Sequence, residues 1–173
     1  MEATRHRWLP WLLGACVAGS LALVALTQRA HEEDTTVPRP GGLILDVFFQ
    51  HTDGRQQTLR RGDSAAAGML RLRVSAPVAG RLAILAIGEG DAVRLVRALT
   101  AIGAGKRQML PETMAVTGRG PERLVALQCG EEVLDAELTV AAGEALREAG
   151  GDPRRMMKLP LPCDEVATWY EKR

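Results

Sequence analysis

Residues Trp8 to Thr27 read WLPWLLGACVAGSLALVALT, twenty consecutive residues without a charged side chain. At 1.5 Å per residue, a helix of about 20 residues crosses roughly 30 Å, the hydrocarbon thickness of a bilayer. No other feature limits so strongly what such a chain can become. Trp8 and Trp11 stand at one end of the run, where amphipathic rings favour the membrane interface. Arg5, His6 and Arg7 precede it, and Glu32, Glu33 and Asp34 follow Arg29 on the far side. The positive-inside rule then keeps residues 1–7 in the cytoplasm and sends the remainder across the inner (cytoplasmic) membrane. The expectation is a single-pass signal-anchor at residues 8–27, with an extracytoplasmic, periplasmic C-terminal domain.

Two other uses of the run lead to the same compartment. A cleaved signal peptide needs small residues before the cleavage point, and Ala25-Leu26-Thr27 and Gln28-Arg29-Ala30 both fit that pattern poorly. Leu13-Gly14-Ala15-Cys16 resembles a lipoprotein cleavage box, but the apolar stretch before Cys16 is short and another follows it. A buried helix of a cytosolic protein would not explain the length of the run or its asymmetric flanks.

Residues 28–42 form the expected linker. HEEDTTVPRPGG (His31 to Gly42) is polar, then rich in Pro and Gly, and holds no large apolar cluster. Residues 43–173 carry the domain. The chain is 46% hydrophobic and 25% charged, ordinary for a packed core, but only 3% aromatic, so aliphatic side chains must build that core. From Gln28 onward 20 basic side chains face 20 acidic ones. A nucleic-acid partner is not expected without a basic excess.

Short alternating segments predict a mainly β fold. Leu43 to Phe49 reads as a first strand, and Asp53-Gly54 as the tight turn into Arg55 to Leu59. Met69 to Val74 puts Leu70, Leu72 and Val74 on one face and Arg71 and Arg73 on the other. Leu82 to Ile87 (LAILAI) is apolar on both faces and should be central. Ala92 to Leu99, Met114 to Val116 and Leu124 to Cys129 read as further strands, with Ala167 to Tyr170 closing the sheet. A helix is predicted from Val140 to Ala149, ended by Gly150-Gly151 and Pro153. The expected architecture is a β-sandwich of about seven short strands with one C-terminal helix, preceded by one transmembrane helix.

Cys129 and Cys163 are the two cysteines of the domain. In an exported domain they are most simply a disulfide, tying Leu159-Pro160-Leu161-Pro162 back onto the Leu124 to Cys129 strand. A metal site is not expected, because neither Cys belongs to a CxxC pair and no His lies in the C-terminal half.

Catalytic patterns fail one by one. Gly103-Ala104-Gly105-Lys106-Arg107 resembles part of a phosphate loop, yet Thr100 stands where the first Gly belongs and no Ser or Thr follows Lys106. His51, beside the Asp53-Gly54 turn, reads as a surface residue, and His31 as a linker residue. Glu131, Glu132 and Asp135 could act as acid and base or bind Ca²⁺, but read as a solvated loop. Arg61-Gly62-Asp63 spells an integrin-recognition tripeptide and reads as a turn. No catalytic residue, cofactor or metal ligand is assigned, and an enzyme is not expected.

Leu59-Arg60-Arg61-Gly62-Asp63, Leu70-Arg71-Leu72-Arg73-Val74, Gly80 to Leu85 (GRLAIL) and Gly120 to Leu127 (GPERLVAL) together resemble an uncharacterised bacterial, myxobacterial-type envelope domain family of unknown function. Its members stand behind a single membrane helix. The resemblance spans about Leu59 to Cys129 and implies a non-catalytic extracytoplasmic β-domain. No family site residue carries over.

The expected function is therefore a membrane-anchored binding or sensing module of the bacterial envelope, with a protein or cell-wall partner. With seven residues expected in the cytoplasm, any signal would pass through that partner. The competing expectation is a scaffold or assembly subunit acting through its membrane helix, where Gly14, Ala15, Ala18, Gly19 and Ala22 would permit close helix packing.

Overall fold

The computed structural model describes residues 42–105 and 107–173. The expected cytoplasmic tail, the run at residues 8–27 and the linker up to residue 41 lie outside the described residues.

The described elements run in the order β1 (Ile44–His51), β2 (Gln56–Leu59), β3 (Ser64–Ala65), β4 (Gly68–Ser75), β5 (Gly80–Gly88), β6 (Val93–Ile102), β7 (Gln108–Val116), β8 (Gly120–Cys129), α1 (Asp135–Glu148) and β9 (Cys163–Lys172). They build a four-stranded sheet in the order β2-β1-β4-β7 and a five-stranded sheet in the order β3-β9-β8-β5-β6. The ladders are antiparallel, except that β3 runs parallel to β9.

Side-chain alternation decides how the sheets meet. In β4, Leu70, Leu72 and Val74 are fully buried, while Met69, Arg71 and Arg73 point the other way. Val47 and Phe49 of β1 join them, and Leu82, Ile84, Leu124, Ala126 and Tyr170 of the five-stranded sheet complete one shared core. A second core lies on the other face of the five-stranded sheet. There Ala83, Leu85, Ile87, Val125 and Leu127 receive Leu138, Ala142 and Leu146 of α1. Two apolar faces explain why β5 and β8 are buried along almost their whole length.

The expected fold is corrected on three points. Nine strands, not about seven, make up the two sheets. The extra pairing includes Ser64–Ala65, a two-residue strand too short to show any periodicity. The strand expected to close the sheet after the helix is longer than Ala167 to Tyr170: it runs for ten residues, Cys163–Lys172, with the helix between β8 and β9. Finally, no helix among the described residues is long and apolar enough to cross a membrane, so the transmembrane helix is no part of the described fold.

Helix α1 also starts earlier than Val140. Its first turn holds Asp135 and Glu137, whose charge suits the positive end of the helix dipole. The Glu137 carboxylate accepts the Leu134 N–H at 2.8 Å, capping a backbone donor that the helix leaves free. At the other end Gly150 takes φ +69° and the Gly151 N–H reaches Leu146 O at 2.9 Å, a Schellman-type ending that only a residue tolerant of positive φ makes without strain.

Candidate partner-binding surfaces

Everything between β8 and β9 is one insertion with a covalent neck. Cys129 and Cys163 are register partners at the end of the β8–β9 ladder, with Cα atoms 4.5 Å apart and sulfurs bonded at 2.08 Å. The insertion, residues 130–162, carries α1 and the Leu159-Pro160-Leu161-Pro162 stretch. Buried polar groups of the sheet hold its returning half. Arg123 on β8 donates from Nη1 to Met156 O at 2.9 Å, and Glu165 on β9 accepts the Leu159 N–H at 2.8 Å. Arg123 Nη2 stands 3.8 Å from Glu165 Oε1. Burial pushes the Glu165 carboxyl above its ordinary pKa, opposed by the Leu159 N–H and by Arg123. On the outgoing half, Asp135 accepts the Leu99 N–H of edge strand β6 at 2.7 Å. That contact plugs one donor of an edge that would otherwise invite strand pairing.

The insertion presents a groove of about 310 Å³, lined by Ala136, Glu137, Val140, Ala141 and Glu144 of α1 and by Pro160 across from them. Helical spacing puts these five on one stripe, next to the stripe that Leu138, Ala142 and Leu146 bury. Val140 is 59% exposed in its middle. Glu137 lies three residues before it and Glu144 four after, so two carboxylates bracket an apolar floor on the same helix face.

The four-stranded sheet has a different outer face. Register aligns Phe48 with Arg71 and Thr113, and Asp46 with Arg73 and Met109. Arg73 lies over the Phe48 ring at 4.7 Å and pairs with Asp46 at 2.9 Å. Met69 and Met109 remain 38% and 41% exposed. Among the described residues α1 packs on β5 and β6 of the other sheet, and no element covers this face. Charge follows the same division. Segments 43–59, 68–75 and 104–119, which build this sheet, hold six basic and three acidic residues, against twelve basic and fourteen acidic in 60–67, 76–103 and 120–173, which build the other sheet and its insertion.

The residues singled out by sequence fall as follows. The acidic trio after Cys129 does not converge: Asp135 faces β6, while Glu131 offers Arg81 mainly its carbonyl, at 3.1 Å. Among the described residues no group of three His, Cys, Asp or Glu is placed to hold a metal ion. Arg61-Gly62-Asp63 is a turn in which Asp63 accepts the Arg60 N–H at 2.8 Å and Gly62 sits against Trp169. In the Gly103 to Arg107 stretch the Gly105 N–H donates to Ala76 O at 2.9 Å, and Lys106 lies outside the described residues. His51 stacks edge-on to Phe49 with centroids 4.6 Å apart.

Sequence reasoning missed one buried constellation. Glu122 of β8 is 8% exposed, accepts a very short hydrogen bond from the Tyr170 hydroxyl, and has Arg94 and Lys172 each 3.8 Å away. Burial, reinforced by that carboxylate, raises the Tyr170 pKa far above its ordinary value. Each of these groups is engaged within the fold. The only hint in the sequence was a Glu at a core-facing position of an apolar strand.

Comparison with protein-family models, with curated proteins and with solved structures returned no match. The resemblance to an envelope domain family therefore rests on the sequence segments that suggested it.

Proposed function

We propose that the chain is a non-catalytic, membrane-anchored binding module of the bacterial envelope, engaging a protein partner through the groove between α1 and Pro160. The observation that carries this reading is a solvent-open apolar floor with an acidic rim, mounted on an insertion closed by the Cys129–Cys163 disulfide. A partly exposed branched side chain between two carboxylates suits an apolar anchor residue with basic neighbours. The disulfide and the buried Arg123–Glu165 pair favour a preformed surface, which lowers the ordering cost of binding. They also favour an oxidising, extracytoplasmic compartment. The apolar run from Trp8 to Thr27, with Arg5 and Arg7 before it, supports anchorage at the inner membrane with the N-terminus inside. The engagement of Glu122 and Glu165 by their own neighbours supports a non-catalytic reading.

The test is site-specific photo-crosslinking in intact cells, with the probe at Val140 and, as a control, at Thr58 on the opposite sheet. A discrete adduct at Val140 alone, whose purified partner then loses about ten-fold or more in affinity for a Val140→Glu variant, is the expected result. No adduct, or the same adduct from both positions, refutes the groove as the binding surface.

A further inference from the structure

We propose that the outer face of the four-stranded sheet docks on an anionic phospholipid surface, leaving the groove-bearing insertion turned away from it. The inference rests on the membrane-anchored reading above and adds the face, the lipid chemistry and the orientation.

Three observations converge on this face. Arg71, Arg73 and Arg107 stand on or beside it, and Met69, Met109 and Phe48 put apolar surface among them. Arg107 is 61% exposed and only loosely held, 3.9 Å from Asp46. Cations over a shallow apolar layer match the boundary between phosphate headgroups and acyl chains. Arginine suits it further, since its planar donors can take phosphate oxygens two at a time.

The second observation is the charge division. The sheet that would face the lipid carries the basic excess, and the other sheet with its insertion carries the acidic excess. Above an anionic surface this arrangement is attracted on one side and repelled on the other, so it selects one orientation within a Debye length of about 8–10 Å. A domain of near-zero total charge gains nothing from its net charge there; the separation does the orienting.

The third is where the chain enters. After the apolar run, residues 28–42 lead directly into β1, a strand of this same sheet. Those residues extend to no more than about 50 Å. The face is thus built on the strand nearest in sequence to the anchor.

The test uses the full chain reconstituted into vesicles of phosphatidylcholine alone and of phosphatidylcholine with phosphatidylglycerol. Flotation reports anchorage whatever the lipid charge. Methionine oxidation by dilute peroxide, read by mass spectrometry, reports the face, with Met157, 84% exposed on the insertion, as the internal reference. The chain should float with both lipids, and Met69 and Met109 should oxidise several-fold more slowly relative to Met157 only in the anionic vesicles. Half-molar salt should abolish that protection. Arg107→Gln and Arg71→Gln should each lower the docking equilibrium constant, read from the ratio of Met69 and Met109 protection to that of Met157, about five-fold; because Arg107 lies outside the strands, its variant also answers for any folding defect in the other.

A chain that floats with neither lipid sinks the anchored reading and this inference together. Flotation with both lipids but equal oxidation in both overturns the inference alone, as does protection of Met157 in place of Met69 and Met109. Equal protection by soluble polyphosphate without vesicles also overturns it, assigning the face to an anionic polymer.

Discussion

Replacing Cys129 and Cys163 together with alanine tests how the insertion is held. The two residues are 34 apart in sequence, and a closed loop of that size restrains the unfolded chain by about 4 kcal/mol in the loop-entropy model. Alanine suits both sites: they are buried among Val133, Leu138 and Leu159, where a serine hydroxyl would want a partner. With a urea m-value of about 2 kcal/mol/M for a domain of this size, the unfolding midpoint should fall by about 2 M. The assay is urea unfolding followed by far-ultraviolet circular dichroism, paired with native-state hydrogen exchange. Exchange separates two ways of losing stability. If the bond acts only through the unfolded chain, protection should drop equally in α1 and in β4. If it also clamps the neck, α1 amides should exchange sooner than those of β4, because the helix would then be held by non-covalent contacts alone, chiefly the apolar stripe of Leu138, Ala142 and Leu146, the Asp135–Leu99 contact and the Gly90–Gly151 hydrogen bond. A midpoint shift below about 0.5 M with an unchanged m-value would refute the reasoning. It would mean that the unfolded loop is already restrained without the bond.

Three further perturbations address the buried polar groups. Tyr170→Phe removes the hydroxyl that Glu122 accepts from and should cost about 1–3 kcal/mol in urea unfolding, since Arg94 and Lys172 stand too far off to replace it. Arg97 and Glu112 form a single-armed pair at 2.5 Å between β6 and β7, with Arg97 Nε and Glu112 Oε2 making no hydrogen bond; Arg97→Met alone should destabilise by about 1–3 kcal/mol, and Arg97→Met with Glu112→Leu by much less, as thermal unfolding of both would show. Glu165 has a raised folded-state pKa, so the folded chain holds its proton more tightly than the unfolded chain does. Its contribution is therefore complete below the ordinary value of 4.5 and is lost as pH climbs through the raised value. Glu165→Gln, which keeps an acceptor for the Leu159 N–H, should flatten that part of the curve of urea midpoint against pH, and an unaltered curve would contradict the assignment.

Where a strand has one wet and one dry face, its sequence says so. Met69 to Val74 shows the period of two in its own letters, and the observed strand extends it by one residue at each end. The both-faces apolar run LAILAI likewise lies inside its sheet. Proline obscured the extent of two other strands. Pro121 is a turn former in sequence, yet β8 begins at Gly120 and passes through it. Pro111 hid the first half of β7, an edge strand interrupted by a bulge, where a missing N–H costs little. The start of α1 was hidden for a different reason. Its cap is supplied by Glu137 reaching back to the Leu134 N–H, without the Ser, Thr, Asp or Asn at the cap position that usually marks a helix start. The groove was beyond reach, because its second wall, Pro160, stands twenty residues from Val140 in sequence and meets it only when the insertion closes.

Net charge misleads most in a protein like this one. Twenty basic and twenty acidic side chains after residue 27 read as electrical indifference, and argue against any strongly charged partner. Summation discards position, however, and two facing sheets sort their outward residues to opposite sides. One side then offers Arg71 and Arg107 with Met69 and Met109, the other Glu137 and Glu144 with Val140. The two surfaces share no residue and no strand, so charge substitutions on them should be separable. Arg107→Gln should change lipid-dependent protection and leave crosslinking at Val140 intact, while Glu137→Gln with Glu144→Gln should weaken the crosslink without altering oxidation of Met69. A substitution on either side that moved both readouts equally would mean that one surface serves both purposes, and the division of charge between the sheets would lose its functional meaning.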